Sequence, residues 1–178
     1  MDLKEKLLLI QENEYQAPAD AFELVQEMLH NIGTLDAQLR DELIYTTLSH
    51  WIPGSTLTTY ELEHILTTVL DHKHLLYQLG EAQADSVFTR SFSMLVIPLL
   101  FIRHAESPFL SSGRIHQIKD AVFHNVREER DYRGYDETKG WAHAIAHAAD
   151  ALEDLDFFSK IAQRFSTPYL ACSSCRYF

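Results

Sequence analysis

The stretch from Asp131 to Asp150, DYRGYDETKGWAHAIAHAAD, holds the densest set of side chains able to do chemistry. His143 and His147 are spaced i, i+4, and Asp150 follows at i+7. On a helix these three project from one face. Two neutral imidazoles and a carboxylate form a ligand set for a divalent metal, with positions left open for water or substrate. The HExxH pattern of metalloproteases is not completed, because Ala144 stands where the general-base glutamate would be. Two metal-free readings use the same residues. One is a polar pocket walled by Trp141 and reached by Tyr135. The other is close packing of an alanine-rich helix, with its imidazoles hydrogen-bonded to neighbours.

The preceding loop carries Asp131, Arg133, Tyr135, Asp136, Glu137 and Lys139, with Gly134 and Gly140 allowing tight turns and close backbone approach. Leading into a helix N-terminus, such a loop can hold an anion on backbone N–H groups, although no phosphate-loop pattern is present. A solvated connector stiffened by ion pairs explains the same residues. Arg90 and Ser91 stand in FTRSFS, just ahead of the longest apolar run, Met94 to Ile102. A buried arginine needs an acid, and Asp150 and Asp41 are the partners expected for Arg90. Asp41 itself follows Arg40 and precedes Glu42 at the start of an earlier helix. If helix starts line one side of the molecule, Asp41, Arg90 and His143 converge. These residues, with Asp131, Arg133, Tyr135, Trp141, His147 and Asp150, make up the candidate binding set. The other histidines, His72, His74 and His104 among them, show no ligand constellation and read as surface residues. No GxSxG, Walker or GxGxxG motif occurs, and nothing singles out a serine as a nucleophile.

The elements that must position this set are helices. Leu24, Val25, Met28, Leu29 and Ile32 recur at three- and four-residue spacing. So do Leu39, Leu43, Ile44, Thr47, Leu48 and Trp51, and then Tyr60, Leu62, Ile65, Leu66, Val69 and Leu70. Asp20 and Asp36 are candidate N-caps, and Thr58 with Glu61 forms a capping-box pattern. Helices are expected near residues 2–14, 19–32, 36–52, 58–78, 84–104, 112–130, 139–155 and 156–166, with no strand. Pro98 inside an apolar helix should kink it. Tyr45, Trp51, Phe88, Phe92 and Phe101 read as core. Gly33, Gly54, Gly80, Gly113 and Gly134 punctuate the helices at positions suited to positive φ.

The chain has 178 residues, 46% of them apolar, with 6 glycines and 5 prolines, which fits one helical domain and disfavours a turn-rich β protein. Its net charge of −11 argues against nucleic-acid or anionic-membrane partners. The apolar run is too short to span a bilayer. Both cysteines, Cys172 and Cys175, fall in the tail from residue 166 onward. No disulfide framework staples the body, which points to a cytoplasmic protein. One CxxC supplies only two metal ligands, and the tail reads as an atypical chain end.

Three stretches, from Leu39, Phe88 and Gly140, start alike at roughly fifty-residue spacing, as in stacked helix pairs. The expected fold is therefore all-α, with antiparallel helix pairs stacked as a HEAT- or armadillo-like superhelix, and a compact bundle as the alternative.

The motifs RDELIYTTLSHWI, DSVFTRSFS and RDYRGYDETKGWAHAIAHAAD, in this order, resemble a bacterial family of uncharacterised proteins, domain-of-unknown-function family 2785. The resemblance covers roughly residues 35–155. It implies a helical, solenoid-like fold and no established activity. The function that follows is a helical-repeat binding or scaffold module for a protein or small-molecule ligand, with a polar site on the HxxxHxxD helix. The alternative is a metal-assisted hydrolase using His143, His147 and Asp150. A purely structural subunit of a larger assembly is the third reading.

Overall fold

The computed structural model describes the backbone of residues 1–166 and the side chains of residues 1–156. The Cys172/Cys175 tail lies outside the described residues. Helix α1 spans Leu3–Glu12 and α2 Ala21–His30. A π-helical segment, Gln38–Tyr45, runs directly into α3, Thr46–Trp51. Then come α4 (Thr59–Val69), α5 (Ser86–Glu106) and α6 (Ser112–Glu128). Strands β1 (Tyr135–Asp136) and β2 (Gly140–Trp141) form an antiparallel pair, and α7 spans Ala144–Ser166. The described chain is mostly helical, with this one small sheet.

Local chemistry explains most boundaries. Thr58 and Glu61 close the expected capping box on α4, each side chain accepting from the other's backbone N–H. Asp2 and Glu5 do the same for α1. Asp36 accepts from Leu39 N at 3.1 Å, whereas Asp20 makes no side-chain cap bond. The helix expected to reach residue 78 stops at Val69. There the Asp71 carboxylate accepts from Lys73 N and contacts the His74 ring, both at 2.7 Å, offering the backbone a turn in place of another helical rung. His74 is buried, its Nε2 lying 3.2 Å from the Leu29 carbonyl, so it is a core residue and not a surface one. His104 also works internally: its Nδ1 accepts from the backbone N–H groups of Phe109 and Leu110.

The largest departure from the sequence reading is the hairpin. Asp136 Oδ1 accepts from Thr138 N, Thr138 Oγ1 and Lys139 N, at 2.9, 2.7 and 3.0 Å. Gly140 then takes φ +80°, returning the chain beside β1. The helix expected from residue 139 thus starts at Ala144. It runs unbroken to Ser166, since nothing at 155–156 interrupts it.

Helix α5 is the core element. Its side chains from Ser86 to Ile97 are almost continuously buried, and it packs against α3, α4 and α7. It is the one described helix long and apolar enough to cross a membrane, but it is wrapped by protein on nearly every side. Of the expected core aromatics, Trp51, Phe88, Phe92 and Phe101 are buried, whereas Tyr45 is half-buried at the core's margin, edge-on to Phe92. Trp51 Nε1 donates to the Tyr15 carbonyl at 2.8 Å, tying α3 to the turn after α1.

Close backbone approach, and not positive φ, explains Gly33; among the described glycines only Gly80 and Gly140 are left-handed. A Cβ on Gly33 would fall 1.9 Å from Thr89 Oγ1 and 2.8 Å from Thr89 Cα, so the loop before the π segment lies directly on α5. Gly33→Ala should therefore lower stability by about 1–3 kcal/mol, the usual cost of overpacking. Thr89→Ala should restore only part of it, because the Thr89 backbone remains in the way. Urea unfolding of the two single variants and the double variant measures both effects.

Candidate functional site

Four buried polar arrangements mount the hairpin on α5. Arg90 and Glu129 are respectively 1% and 2% exposed, and they meet in a bidentate pair, Nε–Oε2 2.7 Å and Nη2–Oε1 2.8 Å. Arg90 Nη1 also donates to Tyr77 O, Gln78 O and Ser86 Oγ. Glu129 Oε1 accepts from Arg130 N and Asp131 N, both at 2.9 Å. Every polar atom of the pair has a partner, the condition under which a buried ion pair is tolerated. The acid that meets Arg90 is therefore Glu129, and not Asp150 or Asp41. Spacing could not show this, because Glu129 follows the last residue of α6 and reaches α5 only through the tertiary fold.

Next, Arg133 and Asp131 form a second bidentate pair, Nε–Oδ1 2.9 Å and Nη2–Oδ2 2.8 Å, with Nη2 also donating to Ala84 O at 2.7 Å. Burial works to raise the Asp131 carboxyl, but the Arg133 hydrogen bonds outweigh it and hold the group below its ordinary value. Third, Arg40 is fully buried. Its guanidinium lies over the rings of Phe88 and Phe92, 4.5 and 4.7 Å from their centroids. It donates to Thr34 O at 2.8 Å and to Lys139 O, in the hairpin turn, at 2.7 Å, while its Nε sits 2.8 Å from Asp41 Oδ1. Burial pushes the Asp41 carboxyl up and the Arg40 guanidinium down, each opposed by attraction to the other. A Cβ on Gly140 would come within 2.9 Å of Ala37 Cβ and 3.1 Å of Arg40 Nη2, so the turn closes onto the π segment only with glycine there.

The fourth arrangement holds His147. The Ser91 hydroxyl donates to the Ala142 carbonyl and lies 2.7 Å from His147 Nδ1. A hydroxyl has one proton, so Nδ1 is the donor in the second contact and Nε2 keeps the free lone pair. Burial pushes the His147 pKa from 6.5 down to about 4, against the hydrogen bond at Ser91, which acts to raise it. The imidazole is a neutral acceptor at pH 7. Ser91 is buried, with its proton engaged by the Ala142 carbonyl.

His143 departs from the expected helical face. Its φ is +47°, its N–H donates to Arg133 O at 3.2 Å, and its carbonyl accepts from His147 N at 3.0 Å. It is the residue on which α7 begins, not a member of its first turn. The imidazole therefore turns toward the hairpin, 4.2 Å from the Trp141 ring and 5.9 Å, edge-on, from His147. Asp150 is exposed on α7, and its charge acts on His147 and Tyr45. Among the described residues no group of three His, Cys, Asp or Glu side chains gathers to hold a metal, so the proposed His143, His147 and Asp150 ligand set is not assembled. The left-handed backbone at His143 is the physical reason.

What the site presents is aromatic. Tyr135 and Trp141, cross-strand partners, meet edge to face at 4.7 Å and are 58% and 48% exposed. The half-buried His143 continues this row, its ring 4.2 Å from that of Trp141. Cavities of about 450 and 380 Å³ lie along α6 and beside the α1–α2 turn, and neither is lined by hairpin residues. Of the candidate set, Asp131, Arg133, Tyr135, Trp141, His143 and His147 come together on or under the hairpin. Asp41 joins them through Arg40, while Arg90 supports them from beneath. Phe88, Phe92, Arg40, Ser91 and Glu129 were absent from that set. Two adjacent acids at the end of α6, and an arginine in phase with Leu43, Ile44 and Thr47, are the signals that could have pointed to Glu129 and Arg40.

This is a mostly helical protein whose only described sheet is an exposed hairpin riding on a buried polar layer. A family of proteins of unknown function, DUF2785, matches residues 75–176, more than half of the chain. The chain belongs to that family. The matched span contains α5, the hairpin and α7, and extends into the cysteine tail. No curated protein and no solved structure matches the chain.

Removing one member of the Arg90–Glu129 pair leaves an uncompensated buried charge. Arg90→Ala and Glu129→Ala are each expected to cost about 3–5 kcal/mol, read as a lower urea midpoint. A separate effect follows from His147. Between its folded value of about 4 and its ordinary 6.5, the unfolded chain binds the extra proton. Stability should thus fall as pH drops from 6.5 toward 4, by up to about 3 kcal/mol, and His147→Gln should flatten that part of the profile. Asp131, lowered when folded, loses its contribution only further down, as pH falls below its unfolded value near ~4. A urea midpoint unchanged between pH 7 and 4.5 would count against a buried neutral imidazole.

Proposed function

We propose that this chain is a binding or scaffold module built of stacked helices, with the Tyr135–Trp141–His143 face as its recognition surface. The observation that carries the proposal is an exposed aromatic row on a rigid mount. Isolated exposed apolar residues are ordinary, but contiguous aromatics held by a buried hydrogen-bonded layer resemble the anchors of binding sites. The mount lowers the entropy lost on binding, because the hairpin backbone is already ordered. Superhelical stacking is supported by the contact order. Helices α1, α3, α5 and α7 touch in sequence, α2 lies on α4, and α4 and α6 join the odd series at α5 and α7.

Trp141 supplies the test. In a nitrogen-15 NMR screen of short peptides and small polar molecules, shifts should concentrate on Tyr135, the Trp141 indole and His143. Trp141→Ala should weaken the best binder by roughly tenfold or more, while the thermal midpoint moves little, since the side chain is half exposed. Shifts confined to α6, around Phe123, would place binding elsewhere and overturn the proposal.

A further inference from the structure

We propose that the Tyr135–Trp141 face recognises a cationic segment of a partner protein, an arginine or lysine side chain lying against the exposed indole with Glu137 and Asp150 balancing its charge. This deepens the binding reading above and rests on it.

The argument is one of charge placement. The basic side chains of the hairpin segment, and the arginine beneath it, are each paired with an acid. Arg133 is held by Asp131 and Lys139 by Asp85, the latter at 2.6 Å, and Arg40 is buried beside Asp41. The exposed carboxylates Glu137 and Asp150 carry no ion pair among the described residues. Asp150 is reinforced along α7. Burial first, then the charges of Glu153 and Asp150, push the Asp154 carboxyl up, so these acids share one field. The hairpin thus carries two exposed aromatic rings and, in its turn, the unpaired Glu137, with the acids of α7 further along the chain, on a protein whose net charge is −11.

The aromatic contacts point the same way. Every cation–π contact among the described residues uses a phenylalanine. Arg40 lies over Phe88 and Phe92, Arg133 over Phe88, and Lys119 and Arg127 over Phe123. The exposed Phe123 is thus already served by its own helix. Tyr135 and Trp141 are not, although tryptophan is the strongest acceptor for a cation. An exposed tryptophan with no internal cation, on a hairpin whose turn carries the unpaired carboxylate of Glu137, matches the chemistry of a guanidinium or ammonium group arriving from outside.

The probes are three octapeptides alternating glycine with arginine, glutamate or tyrosine, titrated into the full chain and followed by Trp141 fluorescence. Trp51 is buried and contributes a constant background. The arginine peptide should bind, and raising salt from about 50 to 300 mM should weaken it several-fold. Trp141→Leu, which keeps apolar bulk and removes the indole, should weaken it by roughly 2- to 30-fold. Glu137→Gln with Asp150→Asn should weaken it while leaving any tyrosine-peptide binding unchanged. Three results overturn the inference: no arginine-peptide binding, binding indifferent to Trp141→Leu, or a tyrosine or glutamate peptide that binds as tightly. If the tyrosine peptide alone binds through Trp141, the recognition surface stands and its cationic preference falls. If no peptide of any kind perturbs Trp141, both fall.

Discussion

The ion pair between Arg90 and Glu129 joins parts of the chain that lie 39 residues apart. Arg90 belongs to the central helix, and Glu129 to the chain leaving α6. Around them gather the carbonyls of Tyr77 and Gln78 and the amides of Arg130 and Asp131. One guanidinium thus organises the turn-rich segment after α4 and the first residues leading to the hairpin. Two charges in the interior are expensive unless their hydrogen bonds are complete, and here they are. Such an arrangement accepts one geometry, which makes it a constraint on structure as much as a source of stability.

The hairpin inherits that constraint in steps. Asp131, set by Glu129, grips Arg133, and Arg133 reaches Ala84 at the start of α5. Arg40 then holds the far end through the Lys139 carbonyl, with its own charge shielded by Phe88 and Phe92. Ser91 and His147 fix the exit into α7. The result is a short two-stranded unit that would be marginal alone and is ordered because its polar groups are satisfied from below. That is why its outward side can carry large aromatics.

The same geometry separates two kinds of histidine. His147 is half-buried against Ser91, its pKa is pushed down, and its Nε2 keeps the free lone pair. His143, four residues earlier, adopts a left-handed backbone and stays with the surface aromatics. Their spacing in the chain suggests a matched pair, while their environments differ: one helps to hold the hairpin exit, the other packs half-buried against the Trp141 ring.

The sequence by itself determined the helical class, most helix starts and the core. Those depend on apolar periodicity and on capping bonds between residues three apart, which are local physics. Trp51, Phe88, Phe92 and Phe101 were recognisable as core for the same reason, and the 131–150 segment stood out by its density of functional groups. Only the tertiary structure decided the partners. Glu129 meets Arg90 across 39 residues, and Arg40 meets the Lys139 carbonyl across 99. No spacing rule encodes such distances. The hairpin was hidden because two-residue strands carry no alternation to read, and their turn depends on Asp136 and on Gly140 fitting against Arg40. The expected face of His143, His147 and Asp150 failed over a single backbone angle. Where α7 begins is set by how the hairpin docks on α5, and that docking is a property of the folded chain alone.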